Sequence, residues 1–233
     1  MQTTSYIARR AQIETYFDRT AAEAWKRLTS DAPVSGIRAT VRAGRERMRA
    51  TLLGWLPAEL DGRRVLDAGC GTGALAVELA RRGADVVAID LSPTLVQLAG
   101  DRWPGEAMRG RVEFRVGDML DPALGRFDHV VGMDSLIHYR TGDVVRVVGG
   151  LAERTQVSLA FTFAPRTPLL AAMHTVGRLF PRGNRAPAIE PVGPAAILRR
   201  LDAAPALAAW RAGRTQRIAS GFYTSQALEL VRR

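Results

Sequence analysis

An acid followed by alternating glycines stands directly after a short apolar run of the chain, at Asp67, Gly69, Gly71 and Gly73. A helical pattern begins immediately after the last glycine, and a second apolar run further on ends in Asp90. Glycines allow the backbone to approach a ligand closely. An acid at the end of the second strand of a βαβ unit accepts hydrogen bonds from the two hydroxyls of a ribose. These residues therefore predict a site for a nucleoside-like cofactor.

Two cofactors use a glycine loop of this kind. A dinucleotide loop, G-x-G-x-x-G, places a pyrophosphate on the N-terminus of the following helix. In this chain Asp67 precedes the first glycine by two residues, and its charge would repel a pyrophosphate. The same carboxylate suits the cationic amino-acid part of S-adenosylmethionine, which has no phosphate. A glycine turn that only packs a strand against a helix is the third reading, and the position of Asp90 argues against it.

Further apolar runs place more candidate residues at the same edge of a sheet. Residues 112–116 form a third strand pattern that ends before Asp118 and Met119, and residues 127–133 form a fourth, followed by a loop at 134–139. Residues 157–163 read as a central strand covered on both faces. Ligands of open α/β sheets bind outside the carboxyl ends of the strands. We therefore also assign Leu91 and Asp134 to the cofactor site.

The elements that must position these residues extend on both sides of the core. Residues 8–29 and 40–56 read as two helices, so we expect 1–60 to form an N-terminal helical arm that serves as a lid, and 61–233 to form the core. Prolines bracket a helix and loop inserted at about 164–191. Residues 217–231 predict a closing antiparallel hairpin. The 233-residue length suits one such core.

Charge and cysteine content limit the class of protein. The formal net charge is +10, and Lys26 is the only lysine among the 33 basic residues. Arginine favours carboxylate and phosphate partners, which predicts an anionic substrate or membrane surface, although a plain arginine-rich surface explains part of the excess. The single cysteine, Cys70, excludes an internal disulfide and is a poor nucleophile inside the glycine loop. Without a signal-like or membrane-spanning segment, we expect a cytoplasmic protein.

The D-x-G-C-G-T-G run closely resembles the first motif of the class I methyltransferases. That resemblance implies a Rossmann-like α/β fold with a seven-stranded, mostly parallel sheet and helices on both faces. It also implies S-adenosylmethionine as the cofactor and S-adenosylhomocysteine as its product. By the same resemblance, Asp118 contacts the adenine amino group and Met119 flanks the ring.

Three segments outside the core resemble one family, the magnesium-protoporphyrin IX O-methyltransferases of bacteriochlorophyll synthesis. They are Tyr16 and Phe17 with Trp25, the F-A-P-x-T and G-x-x-F-P motifs within 163–181, and residues 222–229. The resemblance implies methyl transfer to a propionate carboxylate of the magnesium porphyrin, giving a methyl ester. Members of that family commonly have a tyrosine a few residues after this tryptophan, and at that position this chain has Thr29.

A propionate is already ionised at neutral pH, so the reaction needs alignment and desolvation rather than a strong base. His138 follows the fourth strand and is our candidate for contacting the carboxylate or the porphyrin magnesium, with Tyr16 or Tyr139 supplying a hydroxyl. A histidine satisfied within its loop is the alternative. We expect magnesium only as part of the substrate and no resident metal. The candidate substrate-binding residues are Trp25, Thr29, Arg166, Arg182 and Arg185.

Other classes of methyltransferase share the core motif. The basic charge suits a nucleic-acid enzyme, but the Asn/Asp-Pro-Pro-aromatic loop of the amino-directed enzymes is missing after the fourth strand, and we expect no nucleic-acid partner. A quinone or polyketide methyltransferase is excluded only by the flanking segments, and a non-enzymatic binding module least fits an intact cofactor motif. Because a porphyrin is poorly soluble, we expect hand-over from the porphyrin-binding subunit of the magnesium chelatase or peripheral contact with the photosynthetic membrane.

Overall fold

The computed structural model of the protein describes residues 3–20, 29, 36–105, 108–166 and 188–233. Three of the predicted substrate-binding residues, Trp25, Arg182 and Arg185, lie outside these residues. Most of the insertion predicted at 164–191 also lies outside them.

A seven-stranded sheet organises the described part of the chain, with the strand order β3-β2-β1-β4-β5-β7-β6. Strands β1 to β5 run parallel, and β7 pairs antiparallel with both β5 and β6. The strands are β1 Arg64–Ala68, β2 Asp85–Asp90, β3 Arg111–Val116, β4 Phe127–Gly132, β5 Thr155–Phe163, β6 Trp210–Ser220 and β7 Tyr223–Arg232. The predicted fold class is confirmed.

Helices cover both faces of this sheet. They are α1 Thr4–Thr15, which continues as a π-helix at Tyr16–Thr20, then α2 Ile37–Gly54, α3 Ala74–Arg81, α4 Pro93–Asp101, α5 Thr141–Ala152 and α6 Pro194–Asp202. Local sequence explains their starts. Thr3 caps α1, and Ser92 caps α4, which has Pro93 in its first turn.

Neighbouring residues of the central strands supply the two halves of the core, because successive side chains of a strand point to opposite faces. Leu66 and Val130 pack with residues of α1, α5 and α6 on one face. Val65 and Val131 pack with residues of α2 and α3 on the other. Full burial of each such aliphatic side chain stabilises the fold by about 1.5–3 kcal/mol. The sheet is thus a rigid base for the loops at its carboxyl edge.

The observed ends of strands and helices differ most from the predicted ends in the exposed parts of the chain. The hairpin strand β6 begins at Trp210 rather than near residue 217, and after the buried Trp210 its residues 211–217 are exposed on both faces. An edge strand exposed on both faces carries no alternation of apolar and polar residues, so its start leaves no pattern in the sequence. Helix α1 begins at Thr4 rather than residue 8, since its cap is Thr3.

The N-terminal arm lies against α4. The carboxylate of Asp18 in the π-helix accepts hydrogen bonds from the Thr94 amide (3.1 Å) and hydroxyl (2.6 Å) and from the Ser92 hydroxyl (3.3 Å). Arg102, just beyond α4, donates to the hydroxyl of Thr29 at 2.9 Å. These contacts bring Phe17 and Thr29 onto the wall of a cleft at the carboxyl edge of the sheet.

Candidate active site

A cleft of about 350 Å³ lies at the carboxyl edge of the sheet, where β1 and β4 are neighbours. Here the strand order reverses, because β2 and β3 lie on one side of β1 while β4 and β5 lie on the other. Open α/β sheets bind their ligands at this point. Its walls come from the glycine loop after β1, the loop after β4 and two parts of the N-terminal arm, namely α1 with its π-helix and α2.

The glycine loop lines this cleft with backbone in conformations that favour glycine. The φ angles of Gly69, Gly71 and Gly73 are 87°, 53° and 79°. A Cβ on Gly69 would lie 2.3 Å from the Cβ of Ser135, in the loop after β4. A side chain at Gly69 would therefore push the two ligand-binding loops apart.

Asp90 holds the glycine loop from the end of β2. One carboxylate oxygen accepts from the Gly71 amide at 2.9 Å, and the other accepts from the Ser92 amide at 3.0 Å. Burial raises the pKa of Asp90, while these backbone bonds oppose the rise. The residue lines the cleft, so it remains our predicted acceptor for ribose hydroxyls.

Asp67 is buried beneath the same loop. Among the described residues, its Oδ2 atom has no hydrogen-bond partner. Burial, together with the charge of Asp90, raises the pKa of Asp67 to about 7. A buried carboxylate oxygen without a donor, next to a second acid, fits a cationic group. The ammonium of S-adenosylmethionine is such a group, so the residues of the loop fit the predicted cofactor.

This arrangement makes cofactor binding depend on pH. A cation paired with Asp67 requires the ionised carboxylate, so a proton must leave when binding occurs below pH 7. We expect affinity for S-adenosylmethionine to rise about tenfold from pH 5.5 to pH 7, a range in which an α-amino group stays protonated. Calorimetry in two buffers of different ionisation enthalpy will show the released proton.

The variant Asp67→Asn should release no proton, whereas Asp101→Asn, at the exposed end of α4, should behave like the native protein. Binding of the native protein at pH 5.5 without proton release would contradict the pairing.

Asp118, the predicted adenine-binding acid, is held by the N-terminal helix. Its carboxylate accepts from the Tyr6 hydroxyl at 2.8 Å and from Arg10 at 2.9 Å. The Leu120 amide also donates to it, at 2.8 Å. The residues on either side of Asp118, Gly117 and Met119, line the cleft. The arm thus reaches the end of the cleft where we predict the adenine.

Asp134 is the most heavily bonded residue of the cleft wall. Its carboxylate pairs with Arg45 of α2 at 2.7 Å and accepts from the hydroxyls of Tyr223 (3.1 Å), Ser225 (3.0 Å) and Thr162 (3.1 Å). Its φ of 57° is left-handed, which costs free energy in a residue other than glycine. The bonds to β5, β7 and α2 hold this conformation, so they fix the loop that follows β4.

Removal of one of these hydroxyls should lower stability. We expect Tyr223→Phe to reduce the free energy of unfolding by about 1–3 kcal/mol, because a buried carboxylate loses a donor. Urea unfolding measures this loss. Thr224→Val, on the next residue of β7, is the control and should unfold close to the native midpoint. Equal stability of Tyr223→Phe and the native protein would show that the bond contributes nothing.

The candidate catalytic residues occupy different positions. His138 is buried on the cleft wall, with its ring centroid 5.9 Å from that of Phe17. Tyr139 also lines the cleft and stacks on Tyr6 at 5.1 Å, and burial raises the pKa of its hydroxyl. Tyr16 lies edge-on to Phe17 at 5.2 Å, and it is Phe17 that lines the cleft.

The predicted substrate-binding residues are spread more widely. Thr29 lines the cleft, whereas Arg166 is exposed beyond the end of β5. Sequence reasoning did not single out three cleft residues of α2, namely Arg42, Arg45 and Arg49. Their spacing of three and four residues was the available signal, since it places them on one helix face.

The described residues also bear on metal binding and on membrane insertion. No group of three or more histidine, cysteine, aspartate or glutamate residues in this part of the chain is arranged to hold a metal ion. No helix within the described ranges is long and apolar enough to cross a membrane.

The strand order, the glycine loop and the acids Asp67 and Asp90 define a class I S-adenosylmethionine-dependent methyltransferase. Comparisons with known proteins agree. A methyltransferase-domain family model matches residues 65–156, and the model of the magnesium-protoporphyrin IX methyltransferase C-terminus matches residues 132–232. The chain belongs to the magnesium-protoporphyrin O-methyltransferase family, as its similarity to whole members of that family shows.

The chain is 52% identical to the magnesium-protoporphyrin O-methyltransferase of Rhodobacter capsulatus, over 96% of this chain and 97% of that protein. It is 30% identical to the Synechocystis enzyme of the same name, over 94% and 95% of the two chains. The crystal structure of the Synechocystis magnesium protoporphyrin IX methyltransferase with bound S-adenosylhomocysteine superposes with a TM-score of 0.83, covering 96% of this chain and all of that one.

Proposed function

We propose that the protein transfers the methyl group of S-adenosylmethionine to a propionate carboxylate of magnesium protoporphyrin IX, in the synthesis of bacteriochlorophyll or chlorophyll. The observation that carries this proposal is the similarity of the whole chain to the Rhodobacter capsulatus enzyme. A family model also matches the C-terminal part of the chain, residues 132–232. The products are the porphyrin monomethyl ester and S-adenosylhomocysteine.

Different residues of the cleft would bind different parts of the cofactor. Asp67 would hold the ammonium group of S-adenosylmethionine, Asp90 its ribose hydroxyls, and Asp118 with Met119 its adenine. Leu91 and Asp134 line the same cleft. When bound, S-adenosylmethionine supplies a methyl group activated by a sulfonium.

The chain's own contribution to the reaction is alignment and exclusion of water. The propionate is ionised at neutral pH, so its oxygen attacks without a general base. His138 orients this carboxylate by a hydrogen bond, with Phe17 and Tyr139 screening the cleft from solvent. We expect magnesium only as part of the substrate.

A direct assay tests the proposal. Purified protein with S-adenosylmethionine should convert magnesium protoporphyrin IX into its monomethyl ester, detected by chromatography and mass. The porphyrin should also lose fluorescence on binding. Parallel reactions with a quinone precursor and with RNA are the controls. Methylation of either of these without methylation of the porphyrin would overturn the assignment.

Location and delivery belong to the same proposal. We expect a cytoplasmic protein that touches the photosynthetic membrane and receives the porphyrin from the chelatase subunit. The net charge of +10 and the exposed Ile7 of α1 support contact with an anionic surface. The arginines of α1 face inward, since Arg9 pairs with Glu190 and Arg10 with Asp118, each at 2.9 Å.

Co-sedimentation with anionic vesicles tests the membrane contact. The native chain should pellet with the vesicles at low salt, and Ile7→Glu should reduce the bound fraction. Binding that is unaffected by Ile7→Glu would remove α1 from the contact.

A further inference from the structure

One face of α2 presents a row of arginines to the cleft. Arg42, Arg45 and Arg49 are three and four residues apart, so they share a face, and all three line the cleft. The opposite face fixes the rotation of the helix. A Cβ on Gly44 would lie 2.5 Å from the ring of Tyr223, so the helix packs on β7 without space to turn. The arginine row is therefore held toward the cleft.

The middle arginine of the row forms an ion pair within the protein. Arg45 pairs with Asp134 at 2.7 Å, and the side chain of that acid is only 7% exposed. Arg42 and Arg49 bring two further positive charges to the same wall, about one helical turn before and after this pair. The exposed Glu46 contributes one negative charge. The wall formed by α2 and Asp134 thus has an excess of positive charge.

We propose that Arg42 and Arg49 bind the carboxylates of the acceptor substrate. This inference rests on the proposed function, in which the acceptor is a porphyrin with two propionates. The two arginines are seven residues apart, which is about 10 Å along a helix axis, so they can contact two groups of one ligand. A guanidinium forms two parallel bonds with a carboxylate and stays charged at every relevant pH.

These arginines thereby set the orientation of the porphyrin. Both belong to the wall that also contains Asp134, close in the chain to His138. Propionates held on this wall anchor their edge of the macrocycle inside the cleft that His138 also lines. The specificity for a free acid then comes from α2 rather than from the arginines predicted in the insertion.

Binding measurements with two porphyrins test the inference. The probes are magnesium protoporphyrin IX and its dimethyl ester, measured by fluorescence, with S-adenosylmethionine measured by calorimetry. We expect Arg42→Gln and Arg49→Gln each to weaken binding of the free acid about tenfold, since each removes a charged hydrogen-bonded pair. Binding of the dimethyl ester and of S-adenosylmethionine should stay unchanged. Arg47→Gln is the matched control, because Arg47 donates to the Ala219 carbonyl outside the cleft.

The outcomes separate the two proposals. Equal losses for the acid and the ester, a loss confined to S-adenosylmethionine, or no loss at all would overturn the role of the arginines. If either glutamine variant fails to fold, Arg42→Lys and Arg49→Lys are the replacement variants. They keep the positive charge but lack the two parallel N–H donors of a guanidinium, so they should show a smaller loss of affinity, for the free acid alone. Turnover of the native protein on the porphyrin tests the proposed function separately, so an active enzyme with unaffected variants contradicts only this inference.

Discussion

The variant Asp90→Ala is expected to bind S-adenosylmethionine about a hundred- to ten-thousandfold more weakly than the native protein. Each hydrogen bond between a carboxylate and a ribose hydroxyl contributes about 1.5–3 kcal/mol, and the variant loses two of them. It also releases the Gly71 amide, which Asp90 holds at 2.9 Å. The affinity loss therefore combines missing contacts with a less ordered glycine loop. Calorimetric titration measures it directly.

A second acid on the same strand provides the control. Asp85 begins β2 and pairs with Arg111 at the protein surface, at 2.7 Å. Asp85→Ala removes the same charge from the same strand, far from the cleft edge, and should leave cofactor affinity within twofold of native (about 0.4 kcal/mol). An undiminished affinity in Asp90→Ala would refute the ribose assignment.

The variant His138→Ala should reduce turnover about 10- to 100-fold while cofactor affinity changes little. The loss corresponds to one hydrogen bond to a charged carboxylate, about 1.5–3 kcal/mol, at the stage where that carboxylate must be aligned. Single-turnover measurements with saturating S-adenosylmethionine separate this effect from cofactor binding.

His129 is the contrasting histidine. It lies within β4, where its Nδ1 atom is 2.8 Å from the Ser158 hydroxyl and burial lowers its pKa. His129→Gln should lower the melting temperature with little change in turnover of the folded enzyme. If His138→Ala retains native turnover, His138 has no part in the reaction.

The local parts of this structure are readable from the sequence. The glycine loop, Asp67 and Asp90 are specified by spacing within a single βαβ unit, so strand, turn and helix follow one another without distant information. Short runs rich in apolar residues also mark the parallel strands in the sequence. For these reasons the βαβ unit and the position of the cofactor loop were predictable from the residues, whereas the full seven-stranded sheet was implied by the resemblance to class I methyltransferases.

The cluster around Asp134 was not predictable, because its members come from four separate elements. Arg45 is 89 residues from Asp134 in the chain, and Ser225 is 91 residues away on the other side. No spacing rule connects such positions. The resemblance singled out residues 222–229 without a reason, and the structure provides one, since Tyr223 and Ser225 hold Asp134.

The direction of the α2 arginines could not be predicted from the sequence either. The helix was predicted, but nothing in the sequence pattern showed where its arginines point. A polar face normally meets solvent, whereas the close packing of Gly44 on Tyr223 and the burial of Met48 and Leu52 turn this one toward the cleft. Packing against a distant hairpin decides the direction of these charges, so no local pattern reveals it.

The exposed strand β6 has a consequence for association between copies of the protein. Among the described residues it is an edge strand, and an edge offers its unpaired backbone groups to other strands, which is a route to aggregation. Arg211 and Arg217 stand along it, together with Arg214, which pairs with the buried Glu229 of β7. A second copy approaching edge to edge would bring Arg211 and Arg217 of both copies together, so we expect this positive charge to oppose self-pairing of the edge, independently of any substrate.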